Sequence, residues 1–237
     1  MSEEAELERA RSAYRARDAA GATPYRWDNP GYVGYMQSVE RALLAAFRDA
    51  AVPLAGARTL DVGCGSGYFL HRLREYGAGE CVGIDLLEER IAAARERYPA
   101  LDFRVGNAAA LPFADGSFEL VTQFGCLSSI VEDDVRLSAA REMSRVAAGG
   151  WVLSFDLRSP PSTARAAGAT PTVALDRNEL RRLFGEPSVL RGAGLRFDLA
   201  QALGRRAVPA ALLAALPPLR GSLLGLWRVP ADHPSDR

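Results

Sequence analysis

The chain contains no lysine. All 29 of its basic residues are arginines, set against 29 acids, so the formal net charge is zero. Such a chain has no general attraction to nucleic acid or to an anionic membrane surface. Histidine occurs twice, at His71 and His233, and cysteine three times, at Cys64, Cys81 and Cys126. The isolated, odd-numbered cysteines form neither a disulfide framework nor a C-x-x-C pair, and a zinc centre would be short of ligands. No apolar run is long enough to span a bilayer. The opening stretch MSEEAELERARSAYRARD lacks the apolar centre of a secretion signal. The expectation is therefore a cytoplasmic chain with no metal, no nucleic-acid partner and no membrane span.

Nearly half of the 237 residues are hydrophobic and about a quarter are charged, an ordinary globular composition. A chain of this length buries a full core without disulfides. From residue 58 short β-runs alternate with helix-length amphipathic stretches. RTLDV, ECVGID, LDFRVGN, GSFELVTQFG and GGWVLSFDL read as five strands, with helices SGYFLHRLREYG, LEERIAAARERY and DDVRLSAAREMSRVA among them. That alternation implies βαβ units and a parallel sheet. Further on, DRNELRRLF opens with a capping pattern, Asp176 followed by Glu179. SVLRGAGLRF and GSLLGLWRV read as two late strands, separated by an Ala/Leu-rich stretch that Pro209 interrupts. Residues 1–24 read as a polar lead-in and SVERALLAAFRDA as a helix. We expect an N-terminal helical and aromatic cap or lid over 1–50, then one domain over 51–237 with an insertion around 158–218.

The most informative stretch is TLDVGCGSGYFLHRL, where an apolar run ends in Asp61 and three glycines follow at Gly63, Gly65 and Gly67. A dinucleotide fingerprint needs G-x-G-x-x-G, and here Tyr68 stands where its last glycine belongs. There is no G-K-[ST] ending, so the loop is not a P-loop either. Asp61 would repel a pyrophosphate but suits a cationic ligand. Asp85, ending the next strand, occupies the position that accepts hydrogen bonds from a ribose diol in sheets of this kind. The residues ask for a ligand with a ribose, a positive charge and no phosphate.

LDVGCGSG, then VGID, then GNAAALPFADGSFELV form an ordered series that resembles the class I S-adenosylmethionine-dependent methyltransferases. The resemblance covers roughly residues 58–157. It implies an α/β fold, Rossmann-like, with a seven-stranded mostly parallel sheet, helices on both faces and the last strand antiparallel. It implies S-adenosylmethionine as cofactor and S-adenosylhomocysteine as product. By the same resemblance Asp61, Gly63, Cys64, Gly65 and Gly67 would line the methionine part, Asp85 would bind both ribose hydroxyls and Leu86 would pack on the adenine. Asn107, where many relatives have aspartate, would meet the adenine edge together with Ala108. Gln123, Phe124 and Gly125 would lie between cofactor and acceptor.

Methyl transfer from a sulfonium is an in-line displacement that rests largely on alignment, with a base needed only for some acceptors. Neither histidine is well placed for that role: His71 lies one turn into a helix and His233 in a polar tail. Asp156, ending the fifth strand, is the candidate base, with a salt bridge to Arg158 or a loop cap as the alternative. The aromatic segment carrying Tyr25, Trp27, Tyr32 and Tyr35 reads as a lid over the cofactor or as a cap packed on the sheet. Arg158 and Arg165 are candidates for an acidic acceptor. The resulting expectation is a small-molecule methyltransferase acting on oxygen in a biosynthetic step. N- or C-methylation, protein or RNA acceptors, and a cofactor-binding module without methyl transfer remain open. An (N/D)-P-P-Y motif after strand four, the mark of amino-methylating DNA enzymes, is absent, since that place reads QFGC.

Overall fold

The structure, a computed structural model, describes residues 3–19, 28–158, 172–203, 213, 216 and 219–232. In chain order the elements are α1 (Glu3–Ala19), α2 (Pro30–Asp49), β1 (Thr59–Val62), α3 (Tyr68–Glu75), β2 (Cys81–Asp85), α4 (Glu88–Arg97), β3 (Asp102–Val105) and β4 (Leu120–Phe124). A single 3-10 turn, Leu127–Ser129, precedes α5 (Asp133–Val146), and then come β5 (Trp151–Leu157), α6 (Arg177–Phe184), β6 (Val189–Leu195), α7 (Phe197–Leu203) and β7 (Arg220–Arg228). The seven strands form one sheet in the order β3-β2-β1-β4-β5-β7-β6. β1 to β5 pair in parallel, and β7 runs antiparallel to both its neighbours. The expected architecture is the one observed. The edge strand β6 lies inside the 158–218 region that the sequence reading treated as an insertion.

Every residue of β1 and β2 is buried, as befits central parallel strands covered on both faces. One core layer sets Leu60, Val62, Ile84 and Val121 against Ala139 and Met143 of α5 and Leu180 of α6. The other packs Leu120 and Leu153 against Val39 and Leu43 of α2, Leu70 of α3 and Ile91 of α4. The chain leaves β1 outward through β2 and β3, then returns to β4 on the other side of β1. That reversal opens a crevice at the carboxyl ends of β1 and β4, where ligands bind in open α/β sheets.

One helix start differs from the sequence reading. α2 begins at Pro30, eight residues before the periodic stretch that announced it, because Asn29 caps it by accepting from Gly31 N at 3.0 Å and Pro30 suits the first turn. Tyr32 and Tyr35 therefore stand on a helix, while Tyr25 and Trp27 lie outside the described residues, as do Arg165, Pro209 and His233. The polar lead-in is α1, and its Glu6 is only 2 % exposed. α6 starts where the sequence indicated, with Asp176 accepting from Asn178 N and Glu179 N.

Candidate functional site

The three glycines of the loop after β1 all have φ in the left-handed region, at +69° for Gly63, +53° for Gly65 and +82° for Gly67, where a side chain is strained. Their surroundings separate their roles. A Cβ on Gly63 would stand 2.7 Å from the Cys126 side chain, and one on Gly67 would stand 2.5 Å from the Phe103 ring. These two permit close packing of loop, strand and helix. A Cβ on Gly65 meets nothing within 4 Å. It is the loop position that faces open space, as a ligand cradle requires.

The loop is fastened to β2. Gly63 N and Cys64 N both donate to the Ile84 carbonyl, at 2.8 and 3.0 Å. Gly65 N donates to Asp85 Oδ2 at 2.9 Å, and Leu87 N donates to Asp85 Oδ1 at 3.0 Å. Each Asp85 oxygen thus carries one backbone bond and retains capacity for another donor. Asp61 is buried one strand away and accepts from Thr122 Oγ1 at 2.9 Å. Burial pushes its carboxyl up to about 7, and the neighbouring Asp85 carboxylate adds to the rise against the Thr122 hydrogen bond. Among the described residues no cation pairs with either acid. With no positive partner beside it, the buried Asp61 carboxyl favours its neutral form. Burial also pushes the Cys64 and Cys126 thiols well up, which keeps both neutral.

The other expected positions divide into rim and wall. Leu86 is half-buried beside Asp85 at the start of the β2–α4 connection. Asn107 turns the chain after β3, its Oδ1 accepting from Ala109 N at 2.9 Å, and Ala108 packs on the core. Gln123 is wholly buried. Its Oε1 accepts from Cys126 N and Leu127 N at 2.8 and 3.3 Å, and its Nε2 donates to Ser154 Oγ at 2.6 Å and to Asp156 Oδ2. Phe124 stacks on Phe69 with centroids 3.7 Å apart.

Asp156 has no exposed surface. Its Oδ1 accepts from Ser128 N at 3.0 Å, and its Oδ2 takes Ser154 Oγ as well as the Gln123 amide. Burial raises it to about 6, opposed by hydrogen bonds from Ser154, Gln123 and Ser128. The sequence reading set Asp156 at the mouth of the site, with a salt bridge to Arg158 or a loop cap as the alternative, and its bond from Ser128 N is a loop cap. The structure sets it beneath the 125–129 turn instead, with Gln123 as its partner. Arg158 is exposed beside a cavity of about 270 Å³ that Asp176, Arg181 and Leu223 also line. A wider groove of about 610 Å³ runs between α5 and α6. No glycine-loop residue lines either. Tyr35 packs edge-on against Phe197 and lies 3.5 Å from Ser222 Oγ, three strands away from β1. Among the described residues no group of three or more His, Cys, Asp or Glu could hold a metal ion, and no helix is long and apolar enough to cross a membrane.

Residues 59–150 match the family model described as a methyltransferase domain. Demethylmenaquinone methyltransferase of Roseiflexus castenholzii is 31% identical over 169 residues, which cover 61% of this chain and 70% of that protein. The chain belongs to the class I S-adenosylmethionine-dependent methyltransferases. Ajmaline N-methyltransferase of Rauvolfia serpentina is 37% identical over 98 residues, covering 38% of this methyltransferase chain and 32% of the relative. The chain spans about a third of the length of the first curated relatives it matches. Among solved structures, the PH0226 protein of Pyrococcus horikoshii OT3 aligns with a TM-score of 0.64 at 17% identity, over 90% of this chain and 98% of that one. The family's cofactor is S-adenosylmethionine, and this methyltransferase fits it. Among the described residues neither Asp61 nor Asp85 has a cationic partner, and a Cβ on Gly65 would meet no protein atom within 4 Å, features compatible with a cationic ligand that carries a ribose.

Proposed function

We propose that this chain transfers a methyl group from S-adenosylmethionine to an oxygen of a small biosynthetic acceptor. The observation that carries the cofactor half is the pair of buried carboxyls, Asp61 of β1 and Asp85 at the end of β2, without a cationic partner among the described residues, beside the open face of Gly65. Bound there, the cofactor supplies an electrophilic methyl on a sulfonium. Asp61 would hold the methionine end and Asp85 the ribose, with Leu86, Asn107 and Ala108 around the adenine. The 125–129 turn would form the acceptor wall, and Gln123 and Asp156 act by fixing its backbone rather than by meeting the acceptor. No base stands at the mouth among the described residues, so the best substrate is an acidic hydroxyl, such as a phenol or enol, which needs less help from a base than an alcohol does.

The small-molecule assignment is supported by zero net charge, which gives the chain no general attraction to RNA. One observation favours a nitrogen acceptor instead, the similarity to a relative named for N-methylation. The test is transfer of labelled methyl from S-adenosylmethionine into metabolite, RNA and protein pools, followed by NMR of the product. Label in a metabolite as a methyl ether supports the proposal. Label on nitrogen or carbon moves the acceptor assignment, label in protein or RNA overturns the small-molecule reading, and tight cofactor binding with no transfer leaves a binding module.

A further inference from the structure

α1 lies outside the stretch that matches the family, yet it makes two sets of contacts with it. Near its start, Glu6 pairs with Arg9 through two hydrogen bonds of 2.7 Å and accepts from Val131 N at 2.8 Å. Arg9 Nη2 also donates to the Ser129 carbonyl at 3.0 Å. Farther along, Arg15 Nε donates to Glu89 Oε1 at 2.8 Å, and the Arg90 guanidinium stands 4.3 Å from the centre of the Tyr14 ring. Ser129 and Val131 belong to the connection after β4. Glu89 and Arg90 open α4, directly after β2 and Asp85.

β2 and β4 are the two neighbours of β1 in the sheet. A helix anchored on the carboxyl-end connections of both must cross the end of β1, where the glycine loop stands. The lengths agree. From Glu6 to Arg15 a helix rises about 13.5 Å, and two strand spacings measure about 9.6 Å.

We propose that α1 is a strap that completes the cofactor site, pinned on the acceptor side by Glu6 and Arg9 and latched on the adenosine side by Arg15 and Glu89. The reading rests on cofactor binding at the glycine loop. The two ends differ in kind. Glu6 is buried and satisfied by several donors, whereas the Arg15–Glu89 pair is 59% and 45% exposed. Exposed pairs hold weakly, while a buried carboxylate stripped of its donors is costly. The strap therefore opens at Arg15 and pivots about Glu6, releasing the ligand on the adenosine side. Arg9 Nη1 is buried without an acceptor. A guanidinium N–H in that condition is a donor left for a ligand oxygen beneath the strap.

The test is stopped-flow measurement of S-adenosylhomocysteine dissociation from the full chain, for wild type, Arg15→Glu, and the exchange Arg15→Glu/Glu89→Arg. Arg15 is exposed, so these variants keep the fold, which circular dichroism checks. Opening the latch should speed release by roughly two- to fivefold, the size expected of an exposed ion pair, and the exchange should restore the wild-type rate. Hydrogen exchange in residues 3–19 should slow when S-adenosylhomocysteine is bound. Binding with unchanged release rates and unchanged exchange in α1 overturns the strap alone. Failure of the wild-type chain to bind S-adenosylhomocysteine overturns the cofactor reading and the strap with it.

Discussion

Gly65 N lies 2.9 Å from Asp85 Oδ2, so the carboxylate expected to hold the ribose also ties the glycine loop to the neighbouring strand. Asp85→Ala removes both functions. The variant should lose about 1.5–3 kcal/mol of S-adenosylhomocysteine binding, roughly ten- to a hundredfold in Kd. Titration calorimetry on the folded variant measures it. An unchanged Kd would remove Asp85 from the site.

The glycines should separate by substitution. Gly67→Ala drives a methyl group into the Phe103 ring and should lower the melting temperature. The Cβ of Gly65→Val meets no protein atom within 4 Å, so its folding cost is mainly backbone strain of about 1–2 kcal/mol. It should nevertheless abolish cofactor binding, because its side chain fills the space the ligand needs. Binding of S-adenosylmethionine by Gly65→Val at wild-type affinity would mean that the open face is not a cradle.

Asp61 gives the site a pH dependence whose sign is fixed. Its folded value of about 7 lies above the ordinary 3.8. The folded state therefore loses stability as pH rises from the ordinary value to the folded one, and the full penalty persists above it. A cationic ligand selects the ionised form, so S-adenosylmethionine should bind more tightly at about pH 8 than at about pH 5.5, with proton release at the lower pH. Calorimetry in buffers of different ionisation enthalpy detects that proton. Asp61→Asn should bind weakly and without this pH dependence, and a variant that keeps the dependence would show that another group carries it.

Asp156→Asn distinguishes a wall from a base. The Gln123 amide and the Ser154 hydroxyl both point at Oδ2, so an amide nitrogen there would face donors. The variant should lose about 1–3 kcal/mol of stability, read in a urea titration, with cofactor affinity nearly intact. A fall in kcat of roughly 10²–10⁴-fold without loss of stability would restore Asp156 as the proton acceptor.

The glycine loop, Asp61, Asp85 and the strand–helix alternation were legible in the sequence because each is local. A β-run ending in an acid and glycines at fixed spacing express themselves over fewer than ten residues or so. Helix α2 was also announced locally, by Asn29 and Pro30, but Gly31 and Gly34 masked the signal. Tertiary structure alone decided that Gly65, of the three glycines, faces open space, since Cys126 and Phe103 close off the other two from distant parts of the chain. It alone joined Asp156 to Gln123, 33 residues away, and buried Glu6 against Val131, 125 residues away. A polar residue in a charged helix carries no mark of its burial. That depends on which carbonyls and amides the folded sheet brings beside it, and such contacts have no period along the chain to read.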